Sequence, residues 1–105
     1  MMTWLAPRVG SFPREHRHGL SARTLEKAME LHDELIAARH YYGGLRTGAL
    51  VRADIALDQL RQYLTLSWKL RWLSNGQYRH VSEMTDEIGR LLGGWKRRQE
   101  PRKRQ

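Results

Sequence analysis

The chain has 105 residues, no cysteine and a formal net charge of +8, from 19 Lys and Arg against 11 Asp and Glu. That length suits one compact domain and not two, and the missing cysteine excludes disulfides, thiolate metal sites and thiol nucleophiles. No apolar run approaches the ~18 residues of a membrane span, and Met1 to Gly10 lacks the apolar core of a secretion signal, so the sequence reads as a cytoplasmic protein without a membrane partner.

The first segment, Thr3 to Arg14, carries apolar residues at Trp4, Leu5 and Val9. Pro7 would kink a helix there, and Gly10 and Pro13 would end it. A short helix is expected. The second segment opens at Ser21, a good N-cap, although Thr24 stands where a capping box would place Glu or Gln. Leu25, Ala28, Met29, Leu31, Leu35, Ile36 and Ala38 then form a stripe of helical period. Tyr41, Tyr42, Gly43 and Gly44 are expected to close it, with the glycines as C-cap and turn.

The third segment runs from about Arg46 to Leu73. Its seam is Ala53, Leu57, Leu60, Leu64, Ser67 and Arg71, alternating by four and three. Trp68 and Trp72 stand beside that seam, as core or subunit-interface residues, or as platforms for exposed bases. Ser74, Asn75 and Gly76 read as the stop. The fourth segment runs from about Gln77 to Arg98, with Val81, Met84, Ile88, Leu91 and Trp95 in register. Trp95 stays in register only if the helix passes through Gly93 and Gly94; otherwise that pair is a C-cap followed by an aromatic residue. In a continuous helix, Gly89 and Gly93 share a face and would let another helix approach closely, within the chain or between subunits.

Charge concentrates at the end. From Lys96 onward, six basic residues accompany one acid, Glu100, and 15 of the 19 basic residues are Arg. The guanidinium fork suits phosphate better than an ammonium does, so a polyanion, most commonly nucleic acid, is the expected partner. A solubilising tail is the plain alternative. The organisation expected is a bundle over residues 1–98 and a basic disordered tail over 99–105. Short connections between long helices make the fold class all-α, an antiparallel up-down four-helix bundle with a shortened first helix.

Catalytic chemistry is not legible. Five histidines are present, but no two Glu-x-x-His motifs lie on facing helices, the pattern by which bundles hold paired metals, and no phosphate-loop motif occurs. No metal and no cofactor is expected. Asp33 and Glu34 read as a solvated face, and Arg52 or Arg61 could neutralise Asp54 or Asp58. The loop "FPREHRHG" gathers Arg14, His16, Arg17 and His18, as a phosphate contact or a plain exposed loop.

Three stretches carry a resemblance: "WLAPRVGSFPREHR", "VRADIALDQLRQYL" and "EIGRLLGGW". Together they resemble the Avd proteins, accessory variability determinants of diversity-generating retroelements. The proteins encoded in intervening sequences of bacterial 23S ribosomal RNA genes share that fold family. The resemblance covers roughly residues 4–98 and implies a four-helix bundle assembled as a homopentamer. It further implies a non-enzymatic role: binding the retroelement reverse transcriptase and RNA, possibly DNA, in mutagenic reverse transcription. Carried onto this chain, Arg14, Arg17, Arg90, Lys96, Arg97 and Arg98 become nucleic-acid contacts, joined by Arg102, Lys103 and Arg104 of the tail. Ile88, Gly89, Leu92, Gly93 and Trp95 become packing or interface positions. One departure is that family members have further turns before the segment matching Trp4 and Leu5. A relative of the intervening-sequence type, or a scaffold that meets protein only, would share the bundle residues.

Overall fold

Apolar residues three and four apart build four α-helices in the computed structural model: α1 (Met2–Gly10), α2 (Ala22–His40), α3 (Gly43–Lys69) and α4 (Asn75–Gln99). A kinked turn, Arg17–Ser21, with non-helical Gly19 inside it, leads into α2. The structure describes the backbone of residues 1–10 and 17–99 and the side chains of 1–9 and 19–98. Among the described residues there is no strand. The arrangement is a four-helix bundle whose first helix is short, nine residues against 19 to 27 for the others.

Helix α3 is the centre of the packing. Ala49, Leu50, Ala53, Ala56, Leu57, Leu60 and Leu64 are all buried. It meets α2 along one side and α4 along another, so its apolar surface spreads around the helix instead of forming one stripe. Ala49, Ala53 and Ala56 of α3 and Ala28 and Ala38 of α2 are fully buried. Leu5 and Val9 of α1, Leu31 of α2, Leu73 of the α3–α4 connection and Val81 and Leu92 of α4 complete the core. Each fully buried leucine contributes about 1.5–3 kcal/mol relative to an exposed one. Beside the first turn of α1, a hollow of about 260 Å³ is lined by Met1, Met2, Ala28, Leu31, Leu35 and Ile88.

The helix ends differ from the sequence expectations. Ser21 is not a side-chain cap: its backbone is helical (φ −59°, ψ −49°) and its hydroxyl makes no cap hydrogen bond. A capping hydroxyl needs a non-helical residue, and here the non-helical residue is Gly19, two positions earlier (φ −101°, ψ −113°). Thr24 instead donates its hydroxyl back to the Leu20 carbonyl at 2.7 Å. Gly43 and Gly44 do not close α2 but open α3; the turn is made by the extended pair Tyr41 and Tyr42. Gly43 holds φ +57°, a conformation that favours glycine. Arg46 ties this corner together: its Nε donates to the Ala38 carbonyl at 2.8 Å, and its guanidinium carbon lies 5.5 Å from the Tyr42 ring centroid and 5.6 Å from that of Trp95.

At the other end α3 stops at Lys69, not Leu73. The Trp72 amide bonds the Ser67 carbonyl and the Arg71 amide bonds the Trp68 carbonyl, both at 2.9 Å. Those two bonds form a Schellman closure, with Arg71 as its left-handed residue (φ +66°). Arg71 is therefore exposed and off the seam; Ala53, Leu57, Leu60, Leu64 and Ser67 are buried as expected. Ser74-Asn75-Gly76 is a helix start, not a stop. Ser74 Oγ accepts from the Gln77 amide (3.1 Å), and Gln77 Oε1 accepts from the Ser74 amide (2.9 Å), a reciprocal capping box.

Candidate nucleic-acid interface

Helix α4 passes unbroken through Gly93 and Gly94 to Gln99. Continuation, not a C-cap, is what the Trp95 register requires. Its buried line, however, is Val81, Thr85, Ile88, Leu92 and Trp95, with Val81, Thr85 and Leu92 almost fully enclosed. Leu91, expected on the seam, is 64% exposed. The repeat steps 4-3-4-3 from Val81, and a stripe that begins with the longer step selects Leu92 over its neighbour.

The glycines divide by role. A Cβ on Gly89 would stand 2.7 Å from Arg61 Nη2 and 3.6 Å from Leu57 Cδ2, so α3 lies directly against it. Arg61 uses that space to donate to the Thr85 carbonyl at 3.1 Å and to Asp86 Oδ1 at 3.4 Å. Among the described residues, a Cβ on Gly93 or Gly94 would meet only the guanidinium groups of Arg97 and Arg98, at 3.6 Å or more. Among those residues, then, Gly89 packs against another helix and Gly93 does not.

The basic end of α4 follows from its sequence. Lys96, Arg97 and Arg98 occupy the last turn, where cations complement the partial negative charge of the helix terminus. Lys96 is half-buried and donates to Asp54 Oδ2 of α3 at 2.9 Å. Arg90, earlier on the same helix, hydrogen-bonds Glu87. That bond and the charge of Glu87 hold its guanidinium above its ordinary pKa, so Arg90 stays cationic but locally balanced. Arg97 and Arg98 are exposed and have no carboxylate partner among the described residues. Arg14, Arg102, Lys103 and Arg104 lie outside the described residues, and of Arg17 only the backbone is described. The carboxylates expected to pair with Arg52 and Arg61 do not: Arg52 bonds Glu34 across the α2–α3 contact, and Arg61 bonds Asp86. Glu34 therefore leaves its solvated face. These partly exposed pairs are each worth about 0–1 kcal/mol.

The α3–α4 turn gathers a second group. Trp68 stacks on Tyr78 with ring centroids 4.6 Å apart and planes 6° from parallel. Trp68 Nε1 donates to Asn75 Oδ1 at 2.7 Å, and the Tyr78 hydroxyl shares a 2.8 Å hydrogen bond with Thr65 Oγ1. Both rings are half-buried against the core, as is Trp72. Lys69, Arg71 and Arg79 stand exposed around them without a carboxylate partner among the described residues. Sequence reasoning passed over Lys69, Asn75, Tyr78 and Arg79. The signal that was there is the S-x-x-Q box at Ser74 to Gln77, which starts α4 early enough to set Tyr78 against Trp68.

Among the described residues no group of three or more His, Asp or Glu side chains could hold a metal ion, and no helix is long and apolar enough to cross a membrane. No curated protein and no solved structure matches the chain. The family model described as bAvd-like matches residues 1–99. With that match covering the four helices, the chain belongs to the bAvd-like family.

Proposed function

We propose that this protein is a non-catalytic accessory factor of a diversity-generating retroelement, which binds template RNA and the reverse transcriptase during mutagenic reverse transcription. The observation that carries the reading is charge placement in a bAvd-like chain. Five of the eight net positive charges lie from Lys96 onward, and Arg97 and Arg98 at the start of that run are exposed and without a carboxylate partner among the described residues. A single patch of this size binds phosphate weakly. Repeated around a homopentamer it offers many contacts at once, and avidity rises by ~10²-fold or more without new chemistry.

The mechanism is electrostatic, so affinity falls with salt, by a log–log slope of about −0.7 per phosphate contact on single strands. RNA affinity measured at two salt concentrations tests it, and a flat response refutes it. Removing residues 96–105 lowers both affinity and slope; unchanged binding would clear the tail of any role. Mass in solution tests the pentamer.

A second reading, a scaffold that meets only protein, draws on the neutralisation of Arg90 and Lys96 by Glu87 and Asp54. It also draws on the exposed apolar residues Val51, Ile55, Leu66 and Leu70 of α3 and its end. Its signature is polymerase association that survives high salt and nuclease.

A further inference from the structure

Arg71 is the anomaly of the fold. The left-handed position of a Schellman closure is usually glycine, because a side chain there crowds the following carbonyl oxygen. Arg71 occupies it at φ +66°, exposed, and with no carboxylate partner among the described residues. Among the described residues its guanidinium makes no hydrogen bond or ion pair. Strained residues of this kind concentrate at binding sites, where the side chain's task outweighs the backbone cost.

Its surroundings have one consistent chemistry. Trp68 lines two adjoining hollows, one of about 380 Å³ with Asn75, Tyr78, Arg79 and Ser82, the other of about 250 Å³ with Lys69, Arg71 and Asn75. The indole is held rigid by its stack on Tyr78 and its bond to Asn75. A fixed aromatic surface flanked by three cations is the composition that grips single-stranded nucleic acid: bases stack on the ring and phosphates meet the cations. A duplex keeps its bases stacked internally and cannot use the indole.

This end of the bundle is also distinct from the one carrying Lys96 to Arg98. The α4 C-terminus lies beside the α2–α3 corner, as the Arg46–Trp95 contact shows, whereas Trp68 and Tyr78 lie at the α3–α4 turn. We propose that the α3–α4 turn is a second nucleic-acid site, selective for single-stranded RNA, in which a base stacks at Trp68 and the backbone phosphates lie on Lys69, Arg71 and Arg79. This rests on the nucleic-acid reading above and adds a place and a strand preference to it.

Arg71→Gly is the decisive variant, because glycine relieves the left-handed backbone while deleting the guanidinium. The full chain, the variants Arg71→Gly, Arg79→Gln, Trp68→Phe and Trp68→Ala, and a chain lacking residues 96–105 are compared. The probes are a labelled oligouridylate and an RNA duplex of the same length. Arg71→Gly is expected to melt at or above the parent temperature, yet bind the oligouridylate several-fold more weakly, with a salt slope shallower by about 0.7. Trp68→Ala loses on the order of 10-fold on the single strand and little on the duplex, while Trp68→Phe retains most of the binding. The chain without 96–105 keeps its preference for the single strand. Parent-like single-strand affinity in both Arg71→Gly and Arg79→Gln, with loss only on removing 96–105, overturns the second site and leaves the proposed function standing. Equal losses on duplex and single strand overturn the stacking. Failure of the parent chain to bind any RNA overturns both proposals.

Discussion

Replacing glycines of α4 one at a time separates contact from mere tolerance. At Gly93 an added methyl would meet, among the described residues, only Arg97 Nη1, at 3.6 Å, an ordinary van der Waals distance. No described residue opposes the helix-propensity gain there, so Gly93→Ala should stabilise the chain by about 0.8–1 kcal/mol. For a domain of this size that raises Tm by roughly 4–8 °C. At Gly89 the same methyl falls 2.7 Å from Arg61 Nη2. The guanidinium can swing away, but it then loses its bonds to the Thr85 carbonyl and Asp86. Losing them costs about 1 kcal/mol, which offsets the propensity gain and leaves Gly89→Ala close to neutral. Gly89→Leu has no such escape, because Leu57 Cδ2 already stands 3.6 Å from the Cβ position; overpacking there should cost about 1–3 kcal/mol. Thermal and urea unfolding followed by circular dichroism, at several protein concentrations, reads all three. If Gly93→Ala is destabilising, or indistinguishable from Gly89→Leu, the assignment of Gly89 alone to packing within the chain is wrong.

Leu60→Ala, at a fully buried position on the central helix, should cost about 2–5 kcal/mol; a loss below 1 kcal/mol in urea titration would mean that α3 is not the core helix. Ser74→Ala removes one half of the capping box that starts α4 and should cost about 1 kcal/mol, with the Gln77 amide exchanging faster with solvent; an unchanged exchange rate would contradict the cap. Arg46→Lys should destabilise the α2–α3 corner by about 1–2 kcal/mol although charge is kept. An ammonium lacks the planar fork that lets Arg46 hold the Ala38 carbonyl while its charged group also lies near the rings of Tyr42 and Trp95. Parent-like stability in that variant would show that charge alone suffices.

Periodicity in the sequence was enough to determine an all-helical fold, its number of long helices and one of the buried faces of α3, because apolar residues at 3.6-residue spacing share a face that must turn inward. It also carried α4 through Gly93 and Gly94, since Trp95 keeps the register. The helix ends were not legible in the same way. Gly43 and Gly44, like Ser74 to Gly76, suit a stop as well as a start, and the choice depends on where the partner groups fall: the reciprocal bonds of Ser74 and Gln77, or the Schellman pair around Arg71. Charge counting found the basic run from Lys96, but not which cations were already engaged. Lys96 meets Asp54 and Arg61 meets Asp86 across helix contacts 42 and 25 residues apart in the chain. The pairing of Trp68 with Tyr78 likewise needed two helices to meet at one turn. Local spacing decides which face of a helix is apolar; which polar groups on the other face stay free is decided only when the helices are laid side by side.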